Sequence, residues 1–286
     1  MRCGAAKWEV AYADRTNLPR HTAGGRLTML QRTFIHIPGI GPKTERRLWD
    51  CGIRMWGDFI AAAPRGRDAG LPMSPARARL VARELERSEG CLRSGDYAHF
   101  AGALPGPEQW RAYDAFKGKA AYVDIETTGL GGRAYITVIG LYDGLRTRTY
   151  IAGENLDEFP EDIARYSLLV TYNGATFDLP FIQRAFPDLV LDQLHVDLRY
   201  ALARLGLTGG LKAVEFKVGV ARDERVAGLD GWDAVRLWRE YQAGSEESLE
   251  TLVLYNRADI ENLELLMEHA YDGLMARCLH WGAEVR

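Results

Sequence analysis

The chain has 286 residues, 47% hydrophobic and 26% charged, the ordinary composition of a soluble globular protein with core enough for one large domain or two smaller ones. Its longest apolar runs, 167–172 and 249–255, are too short to span a bilayer, and its start, "MRCGAAKWEV", lacks the basic-then-apolar order of a secretory signal. The net charge of −3 hides an asymmetry: residues 1–118 hold 19 Lys+Arg against 12 Asp+Glu, and residues 119–286 hold 17 against 27. Two readings fit this balance, a nucleic-acid-gripping half joined to a carboxylate-rich one, or plain solvated surface charge.

The four cysteines, Cys3, Cys51, Cys91 and Cys278, form no Cys-x-x-Cys pair. A disulfide framework and a structural zinc site are not indicated, and a reducing cytoplasm is the expected compartment. The six histidines do not cluster either. Any metal is therefore expected to be bound by oxygen, which points to a hard ion such as Mg²⁺ or Mn²⁺.

Along the chain, residues 1–28 are polar and mixed, without periodicity, and are expected to be disordered or loosely attached; Met29 is an alternative start of translation. Residues 29–100 read as a small helical domain. Within it, 34–60 gives two short helical pieces around a Gly-rich turn, and a further helix opens at Ser74-Pro75. The Gly/Pro-rich "AGALPGPEQW" begins a linker, 101–118. From Lys119 strands take over: 120–126, 134–142 and 146–152 read as an antiparallel meander. A helix over 156–166, a strand at 168–172, a helix from Asp178, a short strand at 194–196 and further helices follow, the last over about 246–271. This order predicts an α/β domain over 119–272, a mixed sheet with helices on its faces, and a C-terminal tail over 273–286.

Three stretches of this second domain carry carboxylates where a core would not. "AYVDIETTGL" places Asp124 and Glu126 two apart on a strand, on one face. Two buried anions that close need compensation, and a divalent cation supplies it. "YNGATFDLPFI" places Asp178 after a strand and at the start of a helix, five residues after Asn173. "LYNRADIENLELL" places Tyr255 and Asp259 four apart on a helix, on a face that Leu252, Leu263 and Leu266 turn inward. Singly, each pattern is more often a surface pair or a structural hydrogen bond. In this order and context they reinforce one another.

Together these residues resemble the DEDD exonucleases of the ribonuclease-H-like superfamily, in the tyrosine-bearing (DEDDy) branch. Asp124-x-Glu126 matches the first motif, Asn173-x-x-x-Phe177-Asp178 the second motif of family B polymerase proofreading domains, and Tyr255-x-x-x-Asp259 the third. The run "HVDLRYALARLGLTGGLKAVE" is similar to the bacterial YprB-type domain, whose third motif begins His-Asn where this chain has Tyr255-Asn256. The resemblance implies a ribonuclease-H-like mixed five-stranded sheet flanked by helices. It also implies two divalent ions that clamp the attacking and leaving oxygens of an in-line displacement. On that reading Asp124, Glu126 and Asp259 hold the first ion, and Asp124 bridges to the second, which Asp178 reaches directly or through water. Tyr255 orients the attacking water, because an unperturbed phenol is too weak a base at neutral pH. Asn173 and Phe177 fall to the substrate strand.

"IPGIGPKTERRLWDCGI" (37–53) resembles the helix–hairpin–helix of DNA-binding proteins. Gly39 and Gly41 would let a phosphate approach the backbone, and Lys43 would add a charge at the following helix start, although Pro42 removes one N–H. A hairpin that only packs is the alternative. Among isolated residues, Asp197 reads as a helix cap or a carboxylate behind the site, with the cap favoured. Lys212 and Arg257 read as phosphate contacts or surface charge, and His195 and the seven tryptophans as core or surface. The expected function is a metal-dependent 3′→5′ exonuclease on single-stranded ends, DNA favoured over RNA. The alternatives are a structure-specific endonuclease on the same fold and an inactive nucleic-acid-binding adaptor.

Overall fold

A computed structural model describes residues 28–279. Residues 1–27 and 280–286 lie outside the described residues, and with them Cys3, nearly all of the segment expected to be disordered and the end of the expected tail.

The N-terminal region is helical: α1 (Met29–Arg32), α2 (Pro42–Asp50), α3 (Trp56–Ala62), α4 (Pro75–Ser94), α5 (Tyr97–Ala103) and α6 (Tyr113–Phe116). Ser74 caps α4 by accepting the Arg77 N–H, Pro75 follows at the first helical position, and Gly95 closes the helix at φ 72°. The stretch read as a linker is not extended. A 3₁₀ segment, Gly106–Ala112, runs into α6 and buries Trp110, Arg111, Ala112, Tyr113 and Phe116. Its glycines and prolines shape tight helical turns that pack, instead of a flexible tether.

The sheet follows, with β1 (Ala120–Thr127), β2 (Ile136–Tyr142), β3 (Thr147–Ile151), β4 (Leu168–Thr171) and β5 (Leu194–Asp197) in the spatial order β3-β2-β1-β4-β5. β1–β2 and β2–β3 are antiparallel, whereas β1–β4 and β4–β5 are parallel. This is the expected mixed five-stranded sheet with flanking helices, and β1 is its centre. The expected helix over 156–166 shrinks to a 3₁₀ turn and α7 (Phe159–Ile163); α8 (Asp178–Ala185), α9 (Leu198–Ala203), α10 (Leu211–Val218) and α11 (Gly231–Gln242) complete the set before α12 (Glu246–Leu279). α12 runs 34 residues, past the expected start of the tail.

Alternation along β1 sorts its neighbours. Ala121, Val123 and Ile125 join a core with Phe159, Ile163, Phe181 and Ile182 from α7 and α8. Ala120 and Tyr122 face the other way, into a core that contains Ile260, Leu263, Leu266 and Leu274 of α12. Asp124 and Glu126 share that second face and so look toward α12. The same core takes in Phe34, Trp56, Phe59 and Phe100, so the N-terminal helices and the sheet share one hydrophobic interior. Among the described residues, no helix is long and apolar enough to cross a membrane.

Candidate active site

A glycine sets the depth of the site. In the β1–β2 ladder Asp124 stands opposite Gly140, and a Cβ on Gly140 would lie 2.1 Å from Asn256 Oδ1 and 2.9 Å from Ile260 Cδ1. The missing side chain lets α12 rest directly on the sheet. Asn256, fully buried, then donates its Nδ2–H to Asp124 Oδ2 (3.1 Å) and to the Asp124 carbonyl (3.3 Å). One helical turn further, Asp259 arrives beside the strand carboxylates. The register shifts between Glu126 and Thr127, a bulge at the site's edge.

Asp124, Glu126 and Asp259 each offer one oxygen, and the three oxygens lie within 4.8 Å of one another. Glu126 and Asp259 are buried, and Asp124 is partly open to a cleft of about 380 Å³ whose lining includes Phe177, Trp232 and Tyr255. Asp178 stands at the start of α8, outside the three-oxygen group, and accepts the Ile125 N–H at 3.1 Å.

Burial and mutual repulsion dominate the electrostatics. Burial, then Asp178, Asp259 and Glu126, holds the Asp124 carboxyl well above the ordinary range; burial, then Asp259 and Asp178, does the same to Glu126. Burial pushes Asp178 up to about 7 although two backbone N–H groups oppose it, and Asp259 up to about 6 against the opposing pull of Arg222. Four carboxylates thus face two cations, Lys212 and Arg222. The excess negative charge and the all-oxygen donor set fit a hard divalent cation held by Asp124, Glu126 and Asp259, with Asp178 alongside.

The two cations escaped the motifs. Arg222 is 6% exposed, pairs with Asp259 and forks onto Glu215 at 2.5 and 2.8 Å. It lies in an irregular stretch between α10 and α11, where no periodicity marks a face. Lys212, read as a phosphate contact or surface charge, instead donates to Tyr255 Oη at 3.0 Å and to the Leu229 carbonyl. Burial lowers its pKa, and burial with Asp259 nearby raises that of Tyr255, so the phenol is neutral at neutral pH. Asn256 did leave a signal, because it lies between two inward-facing site residues of one helix.

Asn173 takes a different place from the one expected. At φ 69° it holds the turn before α8; its N–H donates to Asp197 Oδ1 (2.8 Å), and its Oδ1 accepts from Arg199 (2.6 Å) and Thr176 (3.0 Å). Its side-chain oxygen is engaged in shaping the turn that aims Asp178. Asp197 caps α9 through the Arg199 N–H and also accepts the Ala175 N–H. Phe177 lines the cleft, its ring 4.9 Å from Phe181. His195 bonds Thr171 at 2.9 Å and Arg257 bonds Glu261 at 2.7 Å.

The hairpin residues belong to a separate cavity of about 610 Å³. Gly39, at φ 77°, and Gly41 line it together with Glu84, Arg87, Ser88 and His99, whereas Lys43 is exposed at the start of α2. Beneath it His36, Ser88 and His99 form a hydrogen-bonded row at 3.1 and 3.0 Å.

Residues 121–271, just over half of the chain, match the family described as the RNase H superfamily. Among solved structures, the family B DNA polymerase from the hyperthermophilic archaeon Pyrobaculum calidifontis is similar at 18% identity with a TM-score of 0.40. The similarity covers 56% of this chain and 24% of the polymerase chain, about a quarter of its length. No curated protein matches the chain.

Proposed function

The chain belongs to the RNase H superfamily, and from that premise we propose that it is a metal-dependent 3′→5′ exonuclease of DEDDy type acting on single-stranded ends, DNA before RNA. One observation carries the reading: Asp124, Glu126 and Asp259 bring three carboxylate oxygens within 4.8 Å of one another in a cleft that Tyr255 also lines. Bound there, Mg²⁺ or Mn²⁺, two ions in all, would stabilise the charge that builds up on the phosphate and on the attacking and leaving oxygens.

The chain's own residues do the rest. Asn256 fixes the rotamer of Asp124, and Arg222 fixes that of Asp259, so neither ligand has to be ordered when the substrate binds. Tyr255 hydrogen-bonds and orients the attacking water. Because Lys212 donates to its oxygen, the phenol proton stays available for that contact, and the raised pKa keeps it in place. The hairpin at Gly39 and Gly41, with Lys43, grips the backbone of the substrate without reading bases.

End-labelled single-stranded DNA and RNA, incubated with Mg²⁺, Mn²⁺ or EDTA, test this. We expect a ladder that shortens from the 3′ end, stops with EDTA and is abolished in Asp124→Ala. Wild-type activity in that variant would overturn the site. Cutting of a circular single strand would make the protein an endonuclease, and binding without any metal-dependent cleavage would make it an adaptor.

A further inference from the structure

Trp232 is 69% exposed, and it lines the same cleft as Asp124, Glu126 and Asp259. Its position on α11 explains why this exposure is not a packing accident. The buried stripe of that helix is Ala234, Val235, Leu237 and Trp238, complete at helical spacing without Trp232. Trp238 is 3% exposed in a core with Leu252 and Tyr255. Trp232 is therefore spare as far as stability is concerned, yet its backbone is rigidly held. Asp230 caps the helix, accepting the Trp232 and Asp233 N–H groups at 2.7 and 3.1 Å, and Asp233 returns a bond to the Asp230 N–H. A large aromatic on a fixed mount, turned to solvent beside a carboxylate site, is placed for a flat apolar partner. Leu130, 73% exposed, lines the same cleft from the loop after β1.

We infer that Trp232 is a stacking platform that takes an unpaired nucleobase next to the scissile phosphate and so makes the site prefer single-stranded ends carrying bases. The inference rests on the nuclease reading above and deepens it. Stacking on an indole face tolerates any base, because every base has a π-face. Trp232 is thus a specificity-determining residue that selects for an unstacked base, not for a sequence.

The test is binding, measured by fluorescence anisotropy with Mg²⁺ in the Asp124→Ala background, so that no cleavage intrudes. The probes are a 5′-fluoresceinated oligothymidylate and the same chain with its last few 3′ residues abasic. The protein with Trp232 is expected to hold the intact strand about tenfold more tightly than the abasic one, the scale of one stacked base. Trp232→Ala is expected to bind both alike, and Trp232→Phe to keep most of the preference. Equal affinity for the two strands in the parent, or a preference that survives Trp232→Ala, overturns the inference while leaving the nuclease reading intact. Binding of neither strand by any of the three proteins overturns both.

Discussion

Arg222 links Glu215, 1% exposed, to Asp259 at the floor of the cleft, and Asn262 completes the set by donating to Glu215 at 3.0 Å. Arg222→Ala would leave two buried carboxylates without their cation, a loss that typically costs about 3–5 kcal/mol. We expect chemical denaturation to show a lower midpoint by that amount, with Arg222→Lys restoring only part of it because an ammonium cannot reproduce the fork onto Glu215. An unchanged midpoint in Arg222→Ala would mean that the pair is not formed in solution. The contrast with Asp124 and Glu126 shows what a sequence reveals at this scale. Spacings of two on a strand and four on a helix fix a shared face by local geometry alone, so the three clustered carboxylates were legible. Arg222, Lys212 and Trp232 reach the cleft from a loop, a short helix and a helix start, whose placement depends on tertiary packing. Asn173 was legible as part of a motif, but its side-chain role was not, since a positive φ leaves no mark on composition.

Strand β2 and helix α12 meet at Gly140 with no room for a methyl group. Gly140→Ala would push Asn256 and Ile260 away from the sheet and pull Asp259 off the other two carboxylates. Overpacking of this kind costs about 1–3 kcal/mol, and we expect a lower Tm together with weaker Mn²⁺ binding by calorimetry. Gly90, inside α4, has nothing within 4 Å of its would-be Cβ. Gly90→Ala should raise stability by about 0.5–1 kcal/mol, since only backbone entropy is at stake. If both substitutions shifted Tm in the same direction, close approach would not be the reason for the glycine at 140. Element types along the second domain were legible because periodicity and turn residues agree there. The length of α12 was not. Its last turns are held by tertiary partners, Tyr271 against Trp110 and Tyr113 with ring centroids 6.1 and 5.5 Å apart, and those partners are far away in sequence.

Across the whole molecule the same point decides how its parts are joined. Arg111, 4% exposed, bonds Thr33 and Glu45 of the N-terminal helices at 2.9 and 3.0 Å and Glu108 at 2.7 Å. No pattern within residues 101–118 announces an ion pair 66 residues long in sequence. Removal of residues 29–100 would strip Phe34, Trp56, Phe59 and Phe100 from a core that also contains Tyr122 and Leu274. We expect that truncation to aggregate or unfold, and a soluble truncated protein with wild-type Tm would refute the shared core. The cluster at the other side of the sheet makes stability depend on pH and metal together. Burial lifts Asp178 to about 7 and Asp259 to about 6, above their usual value of 3.8. The folded protein therefore binds more protons than the unfolded chain between about pH 4 and 7, so metal-free stability is full below that window and falls as pH rises through it. A divalent ion needs the carboxylates ionised, replaces their protons and offsets the repulsion. Thermal melts in EDTA should thus give a Tm that declines from pH 5 to pH 8, and Mn²⁺ should raise Tm more at pH 8 than at pH 5. Asp178→Asn should flatten the decline in EDTA because it removes one of the titrating charges. A Tm in EDTA that rises over the same range would mean that these carboxylates are not held protonated by burial, and an Mn²⁺ effect independent of pH would mean that they are not its ligands.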